Sequence, residues 1–159
     1  MINDFSIKTK LVEDENGNKG IPPMFATKGS ACADVACPYD VEIPPHSSCL
    51  VDLLLQFDLS FETKVVMYPR SSLLIKKGLI SPTSIIDPDY KDNIHVPLFN
   101  VTDSPVTIKK GERIAQIEAT QRSFTSSWFT NNVARDGGFG STGKWQKGLD
   151  ILLEYHLLL

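Results

Sequence analysis

Cysteine is scarce in this chain: the 159 residues contain three, Cys32, Cys37 and Cys49, an odd number in no metal-ligating spacing. That excludes a disulfide scaffold and argues for a reducing, cytoplasmic setting in which the thiols are small core residues. Basic excess is lacking as well. With 16 Lys and Arg against 19 Asp and Glu, a net charge of −3 and a pI near 5.6, the composition argues against a general nucleic-acid or membrane-surface binder, while a local anion site stays open. No basic-then-apolar leader opens the sequence. The apolar tail Leu149–Leu159 falls short of the roughly 20 residues that a bilayer span needs, so no membrane partner is expected. Internal repeats and dividing linkers are absent, and a chain that is 42% hydrophobic has material for one domain with a real core.

What is present is a series of short strand-like runs separated by turn signals. They are Phe5–Val12, Tyr39–Ile43, Cys49–Phe57, Thr63–Tyr68, Asn93–Phe99, Val106–Lys109 and Arg113–Ala119. This spacing predicts an all-β barrel or sandwich. One helix is expected in Pro69–Gly78, with serines where an N-cap belongs, lysines in the last turn and glycine just past the end.

Five stretches carry chemistry. In Ser84–Asn100, three carboxylates and a tyrosine crowd a turn between the apolar pair Ile85 and Ile86 and an alternating run, which reads as a hairpin with acid at its tip. Asp87, placed before the rigid Pro88, could project as a general base, and Tyr90 offers a flat apolar face with a polar end. An ordinary acidic turn, its Asp and Asn side chains bonding their own backbone, is the alternative reading of this stretch. A calcium loop does not, since Asp87, Asp89 and Asp92 miss the alternate ligand positions.

Gly29–Val35 crowds small residues around Asp34, which is either a carboxylate able to face a hydrated metal ion or an acid at a bend. The helix start at Arg70, Ser71 and Ser72 is either an anion site or ordinary capping. In Gly111–Gln116, a regular strand would put Arg113 and Gln116 on opposite faces, so at most one serves a given site; Gln116 offers an amide donor. Finally, four of the seven residues Gly137–Gly143 are glycine. Their N–H groups could wrap phosphate oxygens, with Ser141 and Thr142 adding hydroxyls and Phe139 a stacking face. Gly138 to Lys144 approaches a Walker A loop, but Trp145 stands where Ser or Thr is required and no strand precedes it.

Together these stretches resemble the trimeric dUTP diphosphatases (dUTPases). Ser30–Val35, Pro69–Leu73, Ile86–Asn100, Gly111–Gln116 and Arg135–Gly143 follow the order of that family's motifs. The resemblance implies a jelly-roll-like β-barrel with one short helix, residues 1–134 forming the core and 135–144 a glycine-rich arm closing the site. It implies a homotrimer with shared active sites that converts dUTP and water to dUMP and pyrophosphate. Asp87 then matches the base that activates the water attacking the α-phosphorus, and Tyr90 matches the ring that packs on the deoxyribose. Ser81 and Ile86 match positions at the uracil, which is read largely by the hairpin around Ile80–Ile86. Arg70, Ser71, Ser72 and Gln116 match phosphate contacts, and Asp34 matches the residue reaching Mg2+ through water. Phe139 matches the aromatic over the base, and Arg135, Gly140, Ser141 and Thr142 match the arm over the γ-phosphate.

The sequence departs from the family pattern at Ser81, Ser84, Asp92 and Cys32-Ala33, and Arg135 stands one residue nearer the double glycine than is common. Two other readings remain. A related-fold dCTP deaminase needs a glutamate where this chain has Pro97, and a dUTPase-fold binding protein does not need an intact Asp87 and arm. The tail 145–159 lies beyond the last motif and is either a segment packing on a neighbouring subunit or one with no native role.

Overall fold

Residues 7–125, 127–128, 134–135 and 137–138 are described by the computed structural model. The chain divides into two compact units, Met1–Arg122 and Ser123–Leu159. The described residues hold eleven strands and one helix: β1 (Ile7–Leu11), β2 (Ala33–Ala36), β3 (Val41–Ile43), β4 (Ser48–Asp52), β5 (Leu55–Leu59), β6 (Thr63–Tyr68), α1 (Ser71–Lys77), β7 (Leu79–Ile80), β8 (Ser84–Ile86), β9 (His95–Asn100), β10 (Val106–Ile108) and β11 (Arg113–Gln121). All strand pairs are antiparallel, in sheets ordered β2-β11-β6-β8, β4-β9-β7, β1-β5 and β3-β10. The result is an all-β, jelly-roll-like fold. Among the described residues no helix is long and apolar enough to cross a membrane.

Alternation explains the strongest strands. Along β9, Val96, Leu98 and Asn100 point inward while His95, Pro97 and Phe99 point out. Inward residues from several sheets, including Val35, Ile43, Val51, Leu55, Met67, Ile94, Val96, Leu98 and Ile114, form one core. Each such side chain contributes about 1.5–3 kcal/mol relative to exposure. Cys37 is buried among them and its thiol is pushed up to about 11, chiefly by burial. Asn100 is fully buried yet satisfied: its Nδ2 donates to the carbonyls of Ile43, Pro44 and Ser104, and its Oδ1 accepts from the Thr102 N–H and hydroxyl.

Three expectations are corrected. The run Cys49–Phe57 is two strands, β4 and β5, in different sheets. Asp52 Oδ1 takes the Leu54 N–H at 2.7 Å, and Leu54 adopts a left-handed φ of 54°, so the chain turns a corner there. The Leu54 carbonyl accepts the Val12 N–H and passes so close to Gly20 that a Cβ on Gly20 would collide with it. Second, the acidic turn is not a hairpin tip. β8 pairs with β6, whereas β9 pairs with β4 and β7, so Asp87–Tyr90 lies on a crossing between sheets. The stretch Ile80–Ile86 likewise passes from the sheet of β7 to that of β8 and is not a paired hairpin.

Third, the N-cap of α1 is Arg70 rather than a serine, and no side chain caps the helix. Its C-terminus follows expectation, with Lys76 and Lys77 in the last turn and Gly78 at φ 64°, donating to the Leu74 carbonyl. Lys77 ties this end to the strand region beyond it through Glu112 Oε2 at 2.7 Å and the Thr107 carbonyl at 2.7 Å.

In the second unit, the Thr125 and Ser127 hydroxyls lie 2.9 Å apart, and Gly137 has a φ of 81°. The segments 139–144 and 145–159 lie outside the described residues.

Candidate active site

Asp34 is at the centre of the first half of the site. It stands in β2, not at a bend, because Ala33, Val35 and Ala36 are small enough to be buried against β11. Its Oδ1 accepts from Arg70 Nη1 at 2.6 Å and its Oδ2 from Arg113 Nη1 at 2.9 Å. The Asp34 side chain is 13% exposed, Arg70 18% and Arg113 52%. Gln116 faces Asp34 across the β2–β11 ladder and donates through Nε2 to the Pro69 carbonyl at 3.1 Å, immediately before the helix start.

Arg113 therefore joins the same site as Gln116, against the expectation that only one of them could. The β2–β11 register shifts between Arg113 and Ala115, and this irregularity breaks the simple alternation that would have sent Arg113 away. Nothing in the strand pattern announced it. Ser71 and Ser72 open α1 beside Arg70, with no acidic residue in the first turn. Two guanidinium groups on one carboxylate, with the Gln116 amide and the start of α1 next to them, leave a net positive cradle suited to phosphate oxygens.

The second half is the turn after β8. Ile86 is buried at the end of that strand, paired with Val65 of β6. Asp87 follows half-buried, Asp89 is exposed, and the Tyr90 N–H donates to the Asp87 carbonyl at 3.1 Å, closing the turn around Pro88. The Tyr90 ring packs on the core and its hydroxyl donates to the Asn93 carbonyl at 2.8 Å. Ser81 is half-buried between β7 and β8.

Within one chain these halves do not meet. Asp87 follows Ile86, which pairs with Val65 of β6, and so lies toward the Thr63 end of that strand, whereas Arg70 lies just beyond its Tyr68 end. From Val65 to Tyr68 is three residue steps, about 10 Å at roughly 3.3 Å per residue, and Asp87 and Arg70 lie outward from opposite ends of that stretch. Arg135 is half-buried in the second unit, while Phe139, Gly140, Ser141 and Thr142 lie outside the described residues.

Among the described residues no three His, Cys, Asp or Glu side chains converge as a metal cage. A single carboxylate beside groups able to bind phosphate is a donor set that Mg2+ accepts, since that ion keeps several waters and takes its remaining ligands from phosphates. Asp34 fits this arrangement.

The dUTPase family model matches residues 18–143. The deoxyuridine 5'-triphosphate nucleotidohydrolase of Hydrogenobaculum sp. is 37% identical over 128 residues, covering 76% of this chain and 89% of that protein. The crystal structure of dUTPase from Streptococcus mutans superposes with a TM-score of 0.67 at 24% identity, over 74% of this chain and 98% of that one. A mutant dUTPase from phage phi11 of S. aureus, whose structure concerns the coordination of a structural Mg(II) ion, superposes with a TM-score of 0.63 at 16% identity, over 85% of this chain and 99% of that one. With the family model spanning all four motif regions of the first unit and the glycine-rich segment, the chain belongs to the dUTPase family.

Proposed function

We propose that the two halves form a dUTP-hydrolysing site assembled between subunits. The reaction is dUTP and water to dUMP and pyrophosphate. Asp87 takes a proton as the water oxygen bonds the α-phosphorus, and the bond from that phosphorus to the bridging oxygen breaks, releasing pyrophosphate. Arg70, Ser71, Ser72 and Gln116 hold phosphate oxygens, and Arg113 balances Asp34 at the rim of the cradle. These donors act where negative charge grows on the leaving group. Bound Mg2+, reached by Asp34 through water, would supply charge neutralisation on the phosphates. Tyr90 stands against the deoxyribose, Ser81 and the Ile86 backbone meet the uracil, and Arg135, Phe139, Gly140, Ser141 and Thr142 of the arm 135–144 close over base and γ-phosphate.

The observation that carries this reading is the cradle at the uncapped start of α1, lying a strand's length from the only carboxylate turn of the family pattern. A site needing both requires more than one chain, which supports a homotrimer with shared sites. The outer face of β4-β9-β7 supports it too. Exposed Leu50 stands opposite Pro97, and exposed Ile80 stands opposite Phe99, an apolar patch suited to a subunit contact. Three free thiols fit a cytoplasmic location. A dCTP deaminase is disfavoured because Pro97, on that apolar face, has no group able to move a proton.

The test is pyrophosphate release from dUTP, dCTP, dTTP and UTP with Mg2+. Selective release from dUTP is expected; equal turnover of all four would overturn the assignment.

A further inference from the structure

Asn93 has no role in the chemistry above, yet the strands around Tyr90 converge on it. Its half-buried side chain accepts from Gln56 Nε2 of β5 at 2.9 Å and donates through Nδ2 to Asp52 Oδ2, at the end of β4, at 3.0 Å. Asp52 is itself anchored, since Oδ1 takes the Leu54 N–H at 2.7 Å and its own N–H donates to the Tyr39 hydroxyl at 3.1 Å. The Asn93 backbone carbonyl then receives the Tyr90 hydroxyl at 2.8 Å and His95 Nδ1 at 2.7 Å. A carbonyl only accepts, so His95 Nδ1 is the donor there, and Nε2 lies 3.7 Å from Asp52 Oδ2. Tyr90 is thus held at its backbone, whose N–H donates to the Asp87 carbonyl, and at the far end of its ring, whose hydroxyl donates to the Asn93 carbonyl.

We propose that Asn93 is a positioning residue for Tyr90, with Gln56 and Asp52 acting through it to set how far the ring stands toward the sugar. This rests on the reading that Tyr90 packs against the deoxyribose. A wall that admits hydrogen and refuses hydroxyl must hold its place to a fraction of an ångström, and such placement is imposed by the groups behind it. If Asn93 shifts, the wall yields, and the ribonucleotide gains more than the deoxyribonucleotide loses. A residue that served only the fold would not behave so. Its loss would reduce the active fraction equally for both nucleotides and leave their ratio unchanged.

The experiment measures kcat/KM for dUTP and UTP in the full-length protein carrying Tyr90→Ala, Tyr90→Phe, Asn93→Ala or Gln56→Ala. Tyr90→Ala should abolish most of the preference for dUTP. Tyr90→Phe removes the hydroxyl, and Asn93→Ala keeps the backbone carbonyl that accepts it but frees that carbonyl from Gln56 and Asp52. Each should therefore lower the dUTP:UTP ratio, Tyr90→Phe by about fivefold, the worth of one net hydrogen bond, and Asn93→Ala by up to as much. The double variant should be no lower than Tyr90→Phe alone, because Asn93 reaches the ring through that hydroxyl. Gln56→Ala should show a smaller drop in the same direction, and it carries the test if Asn93→Ala does not yield folded protein. If Tyr90→Ala erodes the ratio while Asn93→Ala, Tyr90→Phe and Gln56→Ala leave it unchanged, Asn93 does not position the ring. If Tyr90→Ala itself leaves the ratio unchanged, the reading of Tyr90 fails, and this inference fails with it.

Discussion

Replacing Asp34 by alanine removes the one carboxylate shared by Arg70 and Arg113. The Arg70 side is largely shielded from water, at 13% and 18% exposure, so the guanidinium left behind has lost its counter-charge in a partly desolvated place. Breaking such a pair costs about 3 kcal/mol. Arg113, 52% exposed, is rehydrated easily and adds about 0.5 kcal/mol. The expected loss is therefore about 3.5 kcal/mol, which for a chain of this size lowers Tm by about 10 °C, at roughly 3 °C per kcal/mol. Asp34→Asn keeps an oxygen that can accept from one arginine and should lose about half as much. Thermal unfolding followed by calorimetry, without nucleotide or Mg2+, reads both. A Tm within a degree of the parent for Asp34→Ala would refute the view that this aspartate holds the arginines in place.

Three further outcomes follow from the same geometry. Asp87→Asn keeps shape and removes the basic oxygen, so kcat should fall by roughly 10²–10⁴ with dUTP affinity nearly unchanged, measured by steady-state kinetics and calorimetric titration; full activity would make Asp87 structural. Burial raises the Glu112 carboxyl, but the Lys77 ion pair and the Lys109 N–H outweigh it and hold it below its ordinary 4.5. Its stabilisation is thus present above that value and lost as pH falls through the lower folded value, so the Tm gap between parent and Glu112→Gln should be open at neutral pH and close in acid; a gap that widens in acid would contradict the sign. Asn100→Ala strands the carbonyls of Ile43, Pro44 and Ser104 and should cost about 3 kcal/mol in denaturant unfolding, whereas a cost under about 1 kcal/mol would show that water replaces the amide there.

Strands were legible where one face is buried and the other wet. Thr63–Tyr68 matches β6 at both ends, and the alternation after Ile94 becomes β9. Leu53-Leu54-Leu55 gave no alternation to read, because all three are buried at a corner between sheets. The acidic turn was visible as a turn but not as a crossing, since pairing partners depend on distant register: Ile86 finds Val65, not the strand that follows it. Asp34, Arg70 and Gln116 were legible as polar residues in unusual company. Arg113 was not placed with them, because the register shift after it is set by how β11 lies on β2. Asn93 also went unnoticed. Its side chain is held by Gln56 of β5 and Asp52 of β4, 37 and 41 residues away in the chain, and contacts so distant leave no mark in a local sequence pattern.

The central claim is that Asp87 of one subunit serves the phosphate cradle of another, and subunit exchange tests it directly. Asp87→Asn and Arg70→Ala proteins, each inactive alone, are dissociated together, reassembled and assayed for pyrophosphate release from dUTP. With random mixing in equal amounts, about a quarter of the sites pair an intact Asp87 with an intact cradle, so about a quarter of parental activity should return. A site built within one chain has no way to recover, because no chain carries both groups. Absence of activity in preparations shown by native mass spectrometry to contain mixed trimers would contradict the account.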